Sequence, residues 1–176
     1  MPPAGQFYGI DPAMAELPWG AMSLNPGPHL IAGAGLMPLV RTIAGLGARL
    51  TALPGLAAVC WHASESWIEP AYYARSVAEW LRGGVFPALG LTSLRRTADD
   101  ILISTGLAFL IGQEIELVTP AGTPAADAAR LAVRIIHDLV ERGPLEAPER
   151  LTGPSGEALD AVPDRVRRVL RIDWHR

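Results

Sequence analysis

Residues 61–69, Trp-His-Ala-Ser-Glu-Ser-Trp-Ile-Glu, contain the residue types that nucleophilic catalysis uses: a histidine, two serines and two carboxylates. The segment lacks the Gly-x-Ser-x-Gly turn that presents a nucleophilic serine. Residues this close in sequence seldom fold back on one another, as the members of a catalytic triad must. The segment therefore predicts the end of a strand with two packed tryptophans, or a surface that binds a ligand or partner. Its candidate binding residues are Trp61, His62, Glu65 and Trp67.

Two further carboxylates, Glu114 and Glu116, alternate on one face of a predicted short strand, and Asp99-Asp100 occupies a predicted hairpin turn just before it. Paired carboxylates can act as general acid and base when their surroundings separate their pKa values. The sequence shows no source of that burial or charge, so the solvated face of a sheet is the competing interpretation. Glu114 and Glu116 are retained as candidate binding residues.

The sequence predicts no metal site and no cofactor. Cys60 and His62 lie two apart on a predicted strand, as ligands can, but a structural zinc site needs four ligands. Gly33-Ala34-Gly35 resembles the start of a dinucleotide-binding turn, yet Pro38 stands where the third glycine is required. All 15 basic residues are arginine, which excludes chemistry that needs a lysine amine.

Composition excludes several broad classes of protein. The chain has 176 residues with a net charge of −3, so it lacks the basic field that would hold nucleic acid. Residues 17–40 carry no charged side chain, but their prolines would break a membrane-spanning helix. The amino terminus shows no basic, apolar signal sequence, and we expect a cytoplasmic protein.

The periodicity of apolar residues predicts three helices. The first begins at Pro38 with Leu46 at the centre of its apolar stripe and Arg49 on the opposite face. The second runs from Pro70 to Gly83-Gly84 and buries Tyr73, Val77, Trp80 and Leu81. The third has Thr123 as its N-cap, Gly143 as its stop, and Leu131, Ile135 and Leu139 on its inner face.

Strands are predicted where short segments alternate or run apolar: 56–62, 85–94, 101–104, 114–118 and 166–174. Together with the helices they predict one α+β domain over 1–176, built on a mainly antiparallel sheet of about five strands with three helices packed on it. Residues 1–37 are expected to be irregular, because they are rich in proline and glycine.

Several of these segments resemble a family of bacterial proteins, the domain of unknown function numbered 4261. The resemblance is carried by residues 61–73, by the Thr-Gly-Leu-Ala-Phe-Leu of 105–110 leading to Glu-Ile-Glu at 114–116, and by Glu-Arg-Gly-Pro-Leu at 141–145. It covers about residues 56–160. The resemblance implies a bacterial accessory protein with no catalytic residue to transfer.

The chain departs from the family pattern in two respects. It has Ile111 where the family has a glycine, with Gly112 one position later, so the turn is expected to be reshaped. Its amino-terminal part is shorter than the family's, which would leave one sheet edge open for pairing.

Three functions remain open on this basis. The leading hypothesis is a non-enzymatic interaction module, of an accessory or immunity type, that acts as a homodimer or with a protein partner, because no reaction motif is present and residues 17–64 carry few charges. The second is a small-molecule binder with a pocket lined by Trp61, Trp67 and Trp80. The third is a hydrolase that uses His62 or the Glu114 and Glu116 pair.

Overall fold

A computed structural model describes residues 5–175, and the protein is α+β. The chain divides into two compact units, one ending at Leu91 and the other beginning at Thr92. That the whole chain acts as a single domain stays a prediction. Residues 1–4 of the predicted irregular segment lie outside the described residues.

The first unit contains a three-stranded sheet. Its strands are β1 (Gln6–Tyr8), β2 (Val59–Trp61) and β3 (Ser66–Ile68), in the order β1-β3-β2. The central strand β3 pairs in parallel with β1 and antiparallel with β2, and all three of its residues are buried. The register of β2 and β3 sets Cys60 directly opposite Trp67.

Helices α1 (Met37–Leu50), α2 (Pro70–Leu81) and α3 (Ala88–Leu91) complete this unit. Helix α2 begins where Pro70 costs no hydrogen bond, and the Glu69 carboxylate accepts the N–H groups of Ala71 and Tyr72 at 2.9 and 2.5 Å. The prediction for this helix is confirmed, including the burial of Tyr73, Val77 and Trp80, whereas Leu81 is partly exposed.

The prediction that Leu46 is buried in α1 is wrong, because 45% of its surface is exposed. Helices α1 and α2 contact each other through small residues, and Ala44 is completely buried. A Cβ atom at Gly47 would lie 3.2 Å from the Tyr73 hydroxyl oxygen, so the helices approach too closely there for a leucine. Small residues therefore occupy the buried face of α1, and Leu46 lies outside it.

The second unit contains a six-stranded sheet in the order β4-β5-β6-β9-β8-β7. Neighbouring strands are antiparallel except for β6 and β9, which are parallel. The strands are β4 (Ser93–Arg96), β5 (Ile101–Thr105), β6 (Glu114–Val118), β7 (Glu149–Thr152), β8 (Ala158–Asp164) and β9 (Val169–His175).

Helices α4 (Leu107–Ile111) and α5 (Ala125–Arg142) belong to the same unit. As predicted, α5 buries Leu131, Ile135 and Leu139 and ends at Gly143, whose φ of 91° suits glycine. Its N-cap position is Pro124, one residue later than predicted. The Thr123 hydroxyl instead donates to the Pro120 carbonyl at 2.6 Å, which closes the preceding turn.

The α+β class is confirmed, but the predicted counts are wrong. Residues 5–175 form nine strands in two sheets, each with a parallel pair, and five α-helices. The predicted strand at 85–94 contains helix α3 instead, because a short apolar run is compatible with a strand or with a buried helix. Short 3-10 helices occupy Pro12–Glu16, Pro28–Gly33 and His62–Ser64. None of the helices within residues 5–175 is both long and apolar enough to cross a bilayer.

Candidate functional site

The first unit encloses a concave pocket of about 350 Å³, which we call the tryptophan pocket. Its walls come from three parts of the chain: the extended segment 19–25, helix α1 through Ile43, Gly47 and Leu50, and residues 55–62 with Trp67 and Tyr73 behind them. A volume of this size lies at the lower end of the range of small-molecule sites.

Local packing explains why a pocket forms there. Gly47 has no side chain, so α1 comes close to Tyr73, whose hydroxyl donates to the Ala44 carbonyl at 3.4 Å. Cys60 and Trp67 are cross-strand neighbours and therefore share one face of the sheet. An open space bordered by aromatic rings is left between α1 and this sheet.

The described lining of the pocket contains no carboxylate, guanidinium or ammonium group. Burial raises the pKa of the Cys60 thiol and also that of the Tyr73 phenol, so both groups are neutral at physiological pH. His62 is the other ionisable side chain in the described lining, and it is exposed. The pocket therefore favours an uncharged ligand.

Three indole rings line the pocket, and their N–H groups differ. Trp19 donates its N–H to the Met14 carbonyl at 2.6 Å. The N–H groups of Trp61 and Trp67 are buried and have no acceptor among residues 5–175, and they are the two side-chain polar atoms in that range with this property. A buried donor without an acceptor costs about 1–3 kcal/mol, so the burial of these two groups in side chains that line the pocket needs an explanation.

We call residues 19–25 the strap. They are extended, with no helix or strand, and within the described chain no hydrogen bond involves residues 20–25. Apolar contact is therefore what holds the strap in place, and that contact is incomplete because 65% of the Met22 surface is exposed. The strap is the least anchored wall of the pocket.

The structure places Trp61, His62 and Trp67 in the pocket wall, and two of these, Trp61 and Trp67, were expected to line a pocket. That any of the three binds a ligand stays a prediction. Glu65 lies in the intervening turn with a φ of 53°, and its carbonyl accepts the N–H groups of Gly5 and Gln6 at 2.9 and 3.3 Å. Its backbone thus joins the turn to the start of β1. Glu65 does not line the pocket.

Trp80 was wrongly predicted to line the pocket. It packs edge-on against Phe86 at 5.4 Å, and the Arg41 guanidinium lies 4.7 Å from its ring centre. Tyr73 takes the pocket-facing place on α2, and Trp80 lies about two helical turns further along. Trp19 and the strap were missed, although the long uncharged stretch with an aromatic residue was a signal for them.

Glu114, in the second unit, is a helix cap. Its carboxylate accepts the N–H groups of Gly106, Leu107 and Ala108 at 2.8, 3.2 and 3.0 Å, and the Ser104 hydroxyl at 2.5 Å. Gly106 has a φ of 92°, which a residue with a side chain would resist. The Thr-Gly-Leu turn and the first glutamate of Glu-Ile-Glu therefore form one hydrogen-bonded cluster.

Glu116 forms a two-pronged ion pair with Arg167, one contact of which is 3.3 Å long. The two carboxylates that were candidates for acid and base thus have separate partners, a helix terminus and a guanidinium. Within residues 5–175, no group of three or more histidine, cysteine or acidic side chains is placed to hold a metal ion.

No protein-family model, curated protein or solved structure matches this chain. The resemblance to family 4261 stays a prediction.

Proposed function

We propose that this protein binds a small molecule in the tryptophan pocket. The observation that carries the proposal is the pairing of an uncharged lining with two buried indole N–H groups that lack acceptors. Small-molecule sites are commonly concave and apolar, with a few polar groups that fix the orientation of the ligand. The pocket is concave and largely apolar, and Trp67, whose side chain lines it, has an N–H that lacks an acceptor.

A neutral fluorescent probe, N-phenyl-1-naphthylamine, tests this proposal. We expect saturable binding of one probe per chain with a blue-shifted emission, because the probe would leave water for an apolar site. Ala58 lines the pocket, and Ala58→Trp should weaken binding at least about tenfold by filling the space. The control is Ala52→Trp, since Ala52 is exposed and outside the lining.

Circular dichroism of both variants establishes that they are folded. Equal probe affinity in Ala58→Trp and Ala52→Trp, or binding that does not saturate, would place the probe elsewhere and contradict the proposal.

A second candidate function is the interaction hypothesis, in the form of a homodimer. Leu30, Ile31 and Leu36 are exposed apolar side chains within a stretch that has no charged residue. Because the stretch carries no charge, two copies of it can meet without repulsion, as a two-fold interface requires.

Light scattering at increasing protein concentration tests the dimer. We expect a mass that rises to twice the monomer mass, and Ile31→Glu should restore the monomer by placing a charge in the contact. Val166→Glu is the control, because Val166 is 95% exposed in the second unit. A monomer mass at all concentrations contradicts this candidate.

We further propose membership of family 4261 and a bacterial, cytoplasmic setting. The hydrogen bond between Gly106 and Glu114 supports membership of the family, because it gives a physical reason for the spacing between the Thr-Gly-Leu turn and Glu-Ile-Glu. The arginine-only composition supports a bacterial source.

A further inference from the structure

We infer that the ligand is an uncharged, largely apolar molecule with a carbonyl-type acceptor, and that this acceptor takes the indole N–H of Trp67. The inference rests on the proposed function and adds to it the chemical class of the ligand. Three observations carry it: the charge of the lining, the state of the indole donors, and the strand register.

The lining sets the charge of the ligand. An ionised ligand would lose its hydration in the pocket, and the described lining offers it no acidic or basic group except His62. His62 is exposed, so it cannot replace lost hydration deep in the pocket. A neutral ligand has no such cost.

The indole N–H sets the polar group of the ligand. An indole N–H donates and cannot accept, so its complement is an acceptor such as a carbonyl oxygen. Trp19 shows that this chain pairs an indole with a carbonyl where one is within reach, at 2.6 Å. The N–H of Trp67 is without such a carbonyl among the described residues.

Strand register distinguishes Trp67 from Trp61. Trp67 lies opposite Cys60, and Trp61 lies opposite Ser66, so the two indoles leave the sheet from opposite faces. One acceptor therefore cannot serve both. Trp67 is the more deeply placed, with 3% of its surface exposed in the central strand, whereas Trp61 is at the end of the edge strand.

Access to Trp67 requires one wall to move, because water does not reach its N–H. The strap is the wall that can do so at least cost, since displacing residues 20–25 breaks no hydrogen bond within residues 5–175. Its apolar side chains would then close over the ligand and gain the contacts that they lack.

Three matched probes test the inference on the full chain: 2-acetylnaphthalene, which has an acceptor; 2-ethylnaphthalene, which has none; and the anion 2-naphthoate. We expect 2-acetylnaphthalene to bind about tenfold more tightly than 2-ethylnaphthalene, because only the ketone satisfies the buried donor. We expect 2-naphthoate to bind at least about tenfold more weakly than the ketone.

Trp67→Phe removes the N–H and keeps an aromatic ring, so the preference for the ketone should fall to within about twofold. Trp80→Phe is the matched control, because Trp80 is buried in the same unit but does not line the pocket, and it should keep the full preference.

Each outcome has a distinct meaning. Equal binding of the two neutral probes to the unmodified chain overturns the acceptor inference and leaves the binding proposal intact. A full preference for the ketone in a folded Trp67→Phe variant overturns the assignment to Trp67. Binding of neither neutral probe removes the proposed function and this inference together. The comparison of probes on the unmodified chain decides the question even if Trp67→Phe fails to fold.

Discussion

Glu114→Gln should lower the free energy of unfolding by about 2–3 kcal/mol, although the side chain keeps its shape. One carboxylate oxygen accepts two backbone N–H groups, and the other accepts a third N–H and the Ser104 hydroxyl. An amide has one oxygen, so its NH₂ group must face a donor. At least one backbone N–H then loses its acceptor, and the Ser104 hydroxyl must turn from donating to accepting.

Glu116→Gln is the matched control, because it makes the same change on the same face of β6. The Glu116 side chain is 12% exposed, but its Arg167 partner is 59% exposed and can be solvated when the charge on Glu116 is removed, so we expect a smaller loss. Urea denaturation followed by circular dichroism measures both variants. Equal losses of unfolding free energy would show that the Glu114 hydrogen bonds stabilise the fold no more than the Glu116 ion pair, contrary to what the structure indicates.

Ile135→Ala should cost about 3–4 kcal/mol, because it opens a cavity on the inner face of α5. Ile135 has 5% of its surface exposed and lies between the buried Leu131 and Leu139. Leu46→Ala should cost under about 1 kcal/mol, since Leu46 in α1 is half exposed and leaves no closed cavity.

Sequence periodicity alone predicts similar losses of unfolding free energy for Ile135→Ala and Leu46→Ala. The two variants therefore distinguish the sequence interpretation from the structure. Urea melts of both variants give the comparison, and Arg49→Ala provides an exposed reference on α1. A loss at Leu46 as large as that at Ile135 would mean that the face of α1 is assigned incorrectly here.

The elements that could be predicted are those whose ends carry local signals. Helix α2 begins at a proline preceded by a capping glutamate, and α5 ends at a glycine with a positive φ. The bounds of β6 agree with the prediction, because its alternation of exposed and buried residues spans the whole strand. In each case neighbouring residues alone supply the information.

The elements that could not be predicted depend on distant residues. Strands β1 and β3 have three residues each, too few to show a period, and both exist because they pair across the chain. The buried face of α1 depends on where Tyr73 approaches it. Pro163 has no N–H for a ladder hydrogen bond, yet β8 includes it opposite Leu170, beyond the last residue of β8 that pairs with β7.

The candidate site divides in the same way. Trp61, His62 and Trp67 could be proposed because they cluster within one short segment. The strap was not anticipated: its lack of charge is a local signal of packing, but nothing local indicates that residues 19–25 lie near residues 55–62. The cap formed by Glu114 was also missed, because the N–H groups that it accepts belong to another element of the fold.

Strands β6 and β9 join two halves of the six-stranded sheet that differ in how fast they can assemble. Within each half, neighbouring strands are close in sequence and can form hairpins early. The pairing of Glu114 with Val169 closes a loop that contains α5, β7 and β8, so the second unit is expected to fold at the rate of that closure. Until then β6 and β9 are unpaired edges, and a chain diluted from denaturant is most prone to aggregate in that interval.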